Sequence, residues 1–198
     1  AAYLQASQKL PSHFIIKAGL RAEHTFMEGK QLIPFDTTFT IRRTDLFPYV
    51  YLSRKLFSIA NHEMRGYAIY RQSISRPSYD NLNPAIKYID QYLYETGNPD
   101  LNPQFTDNIE VNISFEDMPL FAVGKNYTRD IFSNVVYQDQ NNPSVIKRSF
   151  DNIGTNEESY FRITGAIPAG GKFLFVVLAQ YKLNHYNGLY ENEAIQLK

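Results

Sequence analysis

The chain has no cysteine, no tryptophan and no net charge: its 20 basic side chains balance its 20 acidic ones. Without cysteine there is no disulfide, no thiolate metal site and no cysteine nucleophile. That absence does not fix the compartment, because many extracytoplasmic bacterial proteins also lack cysteine. A neutral charge balance leaves no electrostatic footprint for nucleic acid. No run approaches the roughly 18 apolar residues of a transmembrane helix, and the first residues hold no signal-peptide apolar core. The 3.6-residue period of an amphipathic helix is missing too, and proline, glycine and asparagine recur too often for a long helix. What is abundant is Tyr and Phe, at 15 and 14 copies in 198 residues. A moderately polar, aromatic-rich chain without apolar runs points to strands. The length suits one domain, or a piece of one.

The strand signal is alternation. Over residues 14–23 one face reads Phe14, Ile16, Ala18, Leu20, Ala22, and the other Ile15, Lys17, Gly19, Arg21, Glu23. His24 continues the first face. Residues 108–116 repeat the pattern, with Ile109, Val111, Ile113 and Phe115 opposite Asn108, Glu110, Asn112, Ser114 and Glu116. Phe161, Ile163, Gly165 and Ile167 oppose Tyr160, Arg162 and Thr164. This is period two, one apolar face and one polar face. Residues 173–183 are apolar on both faces before alternating, and 46–56 and 64–74 are weaker strands.

The connections sort by length. Short ones fall at 9–12, 56–62, 116–119 and 169–172; long ones are expected at 27–44, 76–104, 128–156 and from 184 onward. An up-and-down membrane barrel alternates short periplasmic turns with long outer loops in this way. Strands of roughly 10–15 residues exceed the usual globular length of about 5–6 and suit a tilted bilayer crossing. The fold expected is all-β: an antiparallel up-and-down meander of about eight to nine long strands, forming an arc of a large transmembrane β-barrel. The start inside a strand without a leader, the end without a terminal aromatic, and the large loops all favour an arc over a complete small barrel. Residues 1–198 are thus expected to be one partial barrel domain, without signal peptide or plug.

One long segment carries recognisable chemistry. It contains Arg76, Pro77, Tyr79, Leu82, Asn83 and Pro84, then Gly97, Asn98, Pro99, Leu101 and Pro103, followed by a strand with Asn108 and Glu110. Each proline fixes φ and removes a donor, so this cannot be a central strand. It reads as a long loop, and Tyr79, Tyr88, Tyr92 and Tyr94 argue that it is ordered. Two roles stay open for the motif: folding the loop back into a barrel mouth, or touching a ligand, with Tyr88, Tyr92 and Tyr94 as candidate contacts.

The pattern R-P-S-Y-x-x-L-N-P, then G-N-P-x-L-x-P and N-x-E, closely resembles the barrel of TonB-dependent outer-membrane receptors, in particular the outer membrane protein beta-barrel family. Ala18-Gly19-Leu20-Arg21-Ala22-Glu23, Leu46-Phe47-Pro48, Tyr127-Thr128-Arg129-Asp130-Ile131 and Phe150-Asp151-Asn152-Ile153-Gly154 are similar to strands of that family. The resemblance covers about residues 13–165. It implies an internal stretch of a roughly 22-stranded barrel in the bacterial outer membrane, acting in energised nutrient uptake rather than as an enzyme. It also implies outer-membrane lipid, a plug domain and TonB as partners, and a surface lipoprotein as a further one. No cofactor, metal or nucleic acid is expected. On the polar face, Lys17, Arg21, Glu23, Asn108, Glu110, Asn112, Glu116 and Arg162 are expected to line the lumen.

Catalytic signatures are weak. Gly170-Gly171-Lys172 has the wrong spacing for a phosphate loop, and Ser144-Val145-Ile146-Lys147 lacks its companion motifs. Neighbouring Glu157 and Glu158 point to opposite faces of a strand, so they do not form a carboxylate pair. The alternative to a transporter is a soluble all-β ligand-binding module that uses the loop at 76–104. A sandwich of that kind buries its apolar face against a second sheet; a barrel wall exposes it.

Overall fold

The computed structural model describes every residue except 32–36, 60, 117, 140–141, 170–172, 191–192 and 198. One curled antiparallel sheet dominates. Its strands are β1 (Ala2–Leu10), β2 (Phe14–Gln31), β3 (Thr37–Ile59), β4 (His62–Ser75), β7 (Gln104–Phe115), β8 (Met118–Gln138), β9 (Ile146–Ala169), β10 (Phe173–Tyr190) and the short β11 (Glu193–Leu197). They are neighbours in that order, each pairing with the next, so the sheet is a meander of nine positions. Between β4 and β7 lie a four-residue helix α1 (Tyr79–Leu82) and two short strands, β5 (Lys87–Tyr88) and β6 (Leu93–Glu95). β6 runs parallel to the start of β9. Eight long strands and a short ninth match the fold expected from alternation.

The loop lengths do not match. Residues 27–44, 128–156 and those from 184 onward are largely paired strand. β2 and β3 stay paired up to Gln31 and Thr37, and β8 and β9, past a bulge near Asp130, up to Gln138 and Ile146. The apolar alternation stops there, but the backbone pairing does not. Thr38, Thr40 and Ile41 are β-branched and suit a pleated ladder whether or not one face is apolar. Among the described residues, only the segment between Ser75 and Gln104 remains a long connection. At the opposite end the turns are tight. A 3-10 turn at Pro11–His13 joins β1 to β2, with Ser12 and His13 at positive φ, and Asn61 and Glu116 also adopt positive φ in their turns. The Gly-Gly-Lys segment lies outside the described residues.

The two faces are inverted relative to a soluble sandwich. On β7, Ile109 and Val111 are 57% and 50% exposed, whereas Asn112 and Ser114 are 3% and 1% exposed. Leu20, Leu46, Val50, Phe121, Val123, Ile163, Tyr181 and Leu183 extend the exposed apolar face over β2, β3, β8, β9 and β10. No second sheet covers it among the described residues. Covering the polar side chains while baring the apolar ones is costly in water and favourable in lipid.

Candidate functional site

The polar face is a continuous, cross-linked surface. Register carries one row across seven strands: Lys17 opposite Tyr51, Tyr51 opposite Ile69, Ile69 opposite Glu110, Glu110 opposite Gly124, Gly124 opposite Tyr160, and Tyr160 opposite Lys182. Glu110 anchors the centre. Its carboxylate accepts from Asn112 Nδ2 at 2.8 Å, from the Tyr160 hydroxyl at 2.6 Å and from Arg162 Nη2 at 3.2 Å. Asn108 donates to Asn126 Oδ1 and to the Tyr160 oxygen, and accepts from Arg71. Asn126 passes the chain to Glu158, which holds Lys182 at 2.9 Å. A depression of about 550 Å³ lies over this network. Asn112 Oδ1, at its edge, is buried without a hydrogen-bond partner. Small residues make room: a Cβ at Gly124 would sit 2.4 Å from the Tyr160 ring.

Seven of the eight residues expected on the lumen side share this face. Lys17 stacks over Tyr51 at 5.5 Å and Arg21 over Phe47 at 4.8 Å. Glu23 pairs with Arg21 at 3.2 Å and with Arg76 at 2.6 Å. Asn108, Glu110, Asn112 and Arg162 form the network just described. Glu116 instead follows β7 in a turn, at φ 52°, with Oε1 2.7 Å from His62 Nδ1. Sequence reading missed Tyr67, Arg71, Asn126, Glu158, Tyr160, Gln180 and Lys182, which line the same depression. Their strands read as weak, or were seen only as single faces, and the register that gathers them is not written in any one strand.

The proline-rich segment folds back onto the same face. Leu82 and Leu101, 2% and 5% exposed, form a small core with Phe39 of β3, against Met27, Ile41, Phe132 and Phe150. On β2, β3 and β9, the residues Met27, Phe39, Ile41 and Phe150 have the parity of the polar face. Each motif residue has a structural partner. Arg76 grips Glu23, and its Nη2 lies 4.0 Å from Asp45, whose Oδ2 is buried without a hydrogen bond. Pro77 and Pro103 are buried. Ser78 caps α1 by accepting from the Asn81 amide, and the Tyr79 ring packs 5.8 Å from Phe39. Asn83 and Pro84 accept through their carbonyls from the Gly97 amide (2.8 Å) and the Thr96 hydroxyl (3.0 Å). Asn98 reaches the Phe150 carbonyl. Pro99 and Leu101 line a depression of about 280 Å³ with Thr25 and Arg43.

The three loop tyrosines divide. Tyr88 and Tyr92 are exposed, at 74% and 56%. Tyr94 donates to Asp139 Oδ2 at 2.6 Å. Burial and that carboxylate push its phenol up to about 12. Glu95 pairs with Arg148 of β9 at 2.7 Å. The loop therefore straps β2 and β3 to β8 and β9 across the polar face.

The profile of a family described as the outer membrane protein beta-barrel family matches residues 1–196. No curated protein matches the chain.

Proposed function

Because the chain belongs to the outer membrane protein beta-barrel family and hence to the bacterial outer membrane, we propose that it is barrel wall of a TonB-dependent receptor that imports a nutrient. The observation that supports this reading is the strap. Among the described residues nine strand positions pass without closing, which fits a barrel wider than the small eight-stranded type. A wide barrel is an open hole unless something occupies it. Here a 28-residue connection between Ser75 and Gln104 folds onto the polar face instead of extending into solvent, narrowing the mouth over a surface of fixed donors and acceptors.

In this reading residues 1–198 are one partial barrel domain. A plug fills the lumen, TonB moves the plug, and a surface lipoprotein presents the cargo. The cross-linked face guides the substrate or bears the plug, and no catalytic group or cofactor is required. The motif prolines and asparagines hold the strap, while Tyr88 and Tyr92 stay free to meet cargo.

The test uses the intact protein in cells. Photo-crosslinking is expected to capture TonB only when the membrane is energised, and the purified protein is expected to be closed in planar bilayers. An intact protein that conducts constitutively and captures no TonB is a passive pore, and that result overturns the proposal.

A further inference from the structure

The apolar face of the β2–β3 pair is bracketed by two matched structures. At one end the Arg54 guanidinium lies over the Phe14 ring, 4.9 Å from its centroid; at the other, Arg42 lies over Phe26 at 5.1 Å. Both are directly opposed cross-strand pairs. Between them the same face carries Ile16 with Leu52, Ala18 with Val50, Leu20 with Pro48, and Ala22 with Leu46. The one polar pair, His24 and Thr44, bonds internally at 3.0 Å.

The spacing is that of a bilayer. Phe14 and Phe26 are twelve positions apart in the strand, about 40 Å at roughly 3.3 Å per residue. Tilted by about 40°, that distance rises about 30 Å along the membrane normal, the thickness of the hydrocarbon core.

Both arginines lack a carboxylate. Lys125 and Arg129, on the same face of β8, lie 2.6 Å from Glu157 and 3.8 Å from Asp107. Arg42 and Arg54 have no such partner among the described residues. Stacking on a ring occupies the flat of a guanidinium and leaves its fork of N–H donors free. A cation held at the edge of lipid, with a bidentate donor edge unfilled, calls for an anion with paired oxygens.

We infer that Arg54 with Phe14, and Arg42 with Phe26, are two binding sites for lipid phosphate, one in each leaflet. Arg54 sits by the short turn at Pro11–His13, the periplasmic side in barrels of this kind, and takes a phospholipid phosphate. Arg42 takes the phosphate of the outer-leaflet saccharolipid. The inference rests on the membrane-wall assignment and is independent of TonB.

Native mass spectrometry of the intact protein in non-ionic detergent tests it, with dioleoyl phosphatidylglycerol, monophosphoryl lipid A and phosphate-free dioleoylglycerol as probes. The parent is expected to retain both phosphorylated lipids on the order of tenfold better than dioleoylglycerol, as a charge-assisted contact implies. Arg54→Gln and Arg42→Gln are each expected to hold one bound phosphorylated lipid where the parent holds two, and the double variant to fall about tenfold, to the dioleoylglycerol level. Arg54→Lys and Phe14→Leu, which disturb folding least, are expected to fall in between. Equal retention of dioleoylglycerol, or unchanged retention of phosphorylated lipid in either glutamine variant, overturns the inference. Failure of the unaltered protein to insert into vesicles instead overturns the membrane-wall assignment itself.

Discussion

Asn152 and Asn102 are joined like residues of two paired strands. Asn152 Oδ1 accepts the Asn102 amide at 2.8 Å, and Asn152 Nδ2 donates to the Asn102 carbonyl at 3.0 Å. The same Nδ2 also reaches the carbonyl of Asp130 at 2.8 Å, at a bulge where β8 slips against β9 and Asp130 takes φ 55°. One side chain on β9 therefore ties down both the end of the strap and an irregularity in the neighbouring strand.

Asn152→Ala removes three hydrogen bonds and leaves their backbone partners to find water. At about 1 kcal/mol for each of the two bonds that reach Asn102, docking of the strap should weaken by about 2 kcal/mol, a factor of roughly 30 in its local opening. Limited proteolysis of the folded protein should then cut within residues 76–103 while the heat-resistant barrel band on a gel stays intact. Cleavage no faster than in the parent would show that the Leu82–Leu101 core alone holds the strap.

Gly97 is the point where the two halves of the strap touch. A Cβ there would meet the Asn83 oxygen at 2.5 Å, the Asn83 nitrogen at 2.7 Å and the Asn81 oxygen at 2.8 Å, all backbone atoms. Gly97→Ala must therefore separate α1 from the segment entering β7, breaking the bonds from Gly97 to Asn83 and from Asn98 to Asn81. The expected cost is about 1–3 kcal/mol, the range for overpacking. It should appear as faster hydrogen exchange at Leu82 and Leu101, with β7 and β8 protected as before. Uniform exchange across the sheet would mean instead that the strap and the barrel wall form one cooperative unit.

How much of this was legible depended on whether the signal was local. The face of β7 is written in seven residues, Asn108 to Ser114, and the inversion of burial follows from it. β8 was readable only at Tyr127–Ile131, because Pro119, Gly124 and the bulge at Asp130 interrupt its alternation. The extension of β2 and β3 beyond the apolar band was hidden, since the apolar residues change face there: Met27, Phe39 and Ile41 take the parity of the polar face, so the pattern of residues 14–23 does not continue while pairing does. The Glu110–Arg162 contact joins residues 52 positions apart, and only the register through Gly124 and Ala122 brings them together. The strap motif was visible as chemistry, but its inward direction depends on Phe39 and Phe150, which lie on two distant strands.

The two faces should respond oppositely to charge. Val111 belongs to the exposed apolar face and Gln180 to the polar one. A lysine at Val111 enters lipid and should cost about 2–4 kcal/mol near the midplane, less toward an interface. A lysine at Gln180 faces water in a depression shared with Glu110 and Glu158 but also with Arg162, its cross-strand partner, and should cost less than about 1 kcal/mol. Urea titration of folding into phospholipid vesicles measures both. Equal penalties would mean that the polar face is not aqueous, and near-zero penalties at both positions would remove Val111 from the lipid.

Alkaline pH should loosen the strap through one phenol. Tyr94 donates its proton to Asp139, and in the folded chain it titrates up to about 12, against about 10 for an exposed phenol. A pKa raised on folding means that the neutral form is favoured by the folded state. Its contribution is therefore complete below pH 10 and is lost as pH rises through about 12, where a phenolate would face the Asp139 carboxylate. With no tryptophan in the chain, phenolate absorbance at 295 nm is unobstructed. Subtracting the titration of Tyr94→Phe from that of the parent should isolate one group with a midpoint near 12. Tyr94→Phe should also remove the part of strap protection that disappears between pH 10 and 12. A difference midpoint near 10 would mean that the Tyr94–Asp139 bond does not persist in solution, and that β6 is held to β9 by backbone pairing and the Glu95–Arg148 ion pair alone.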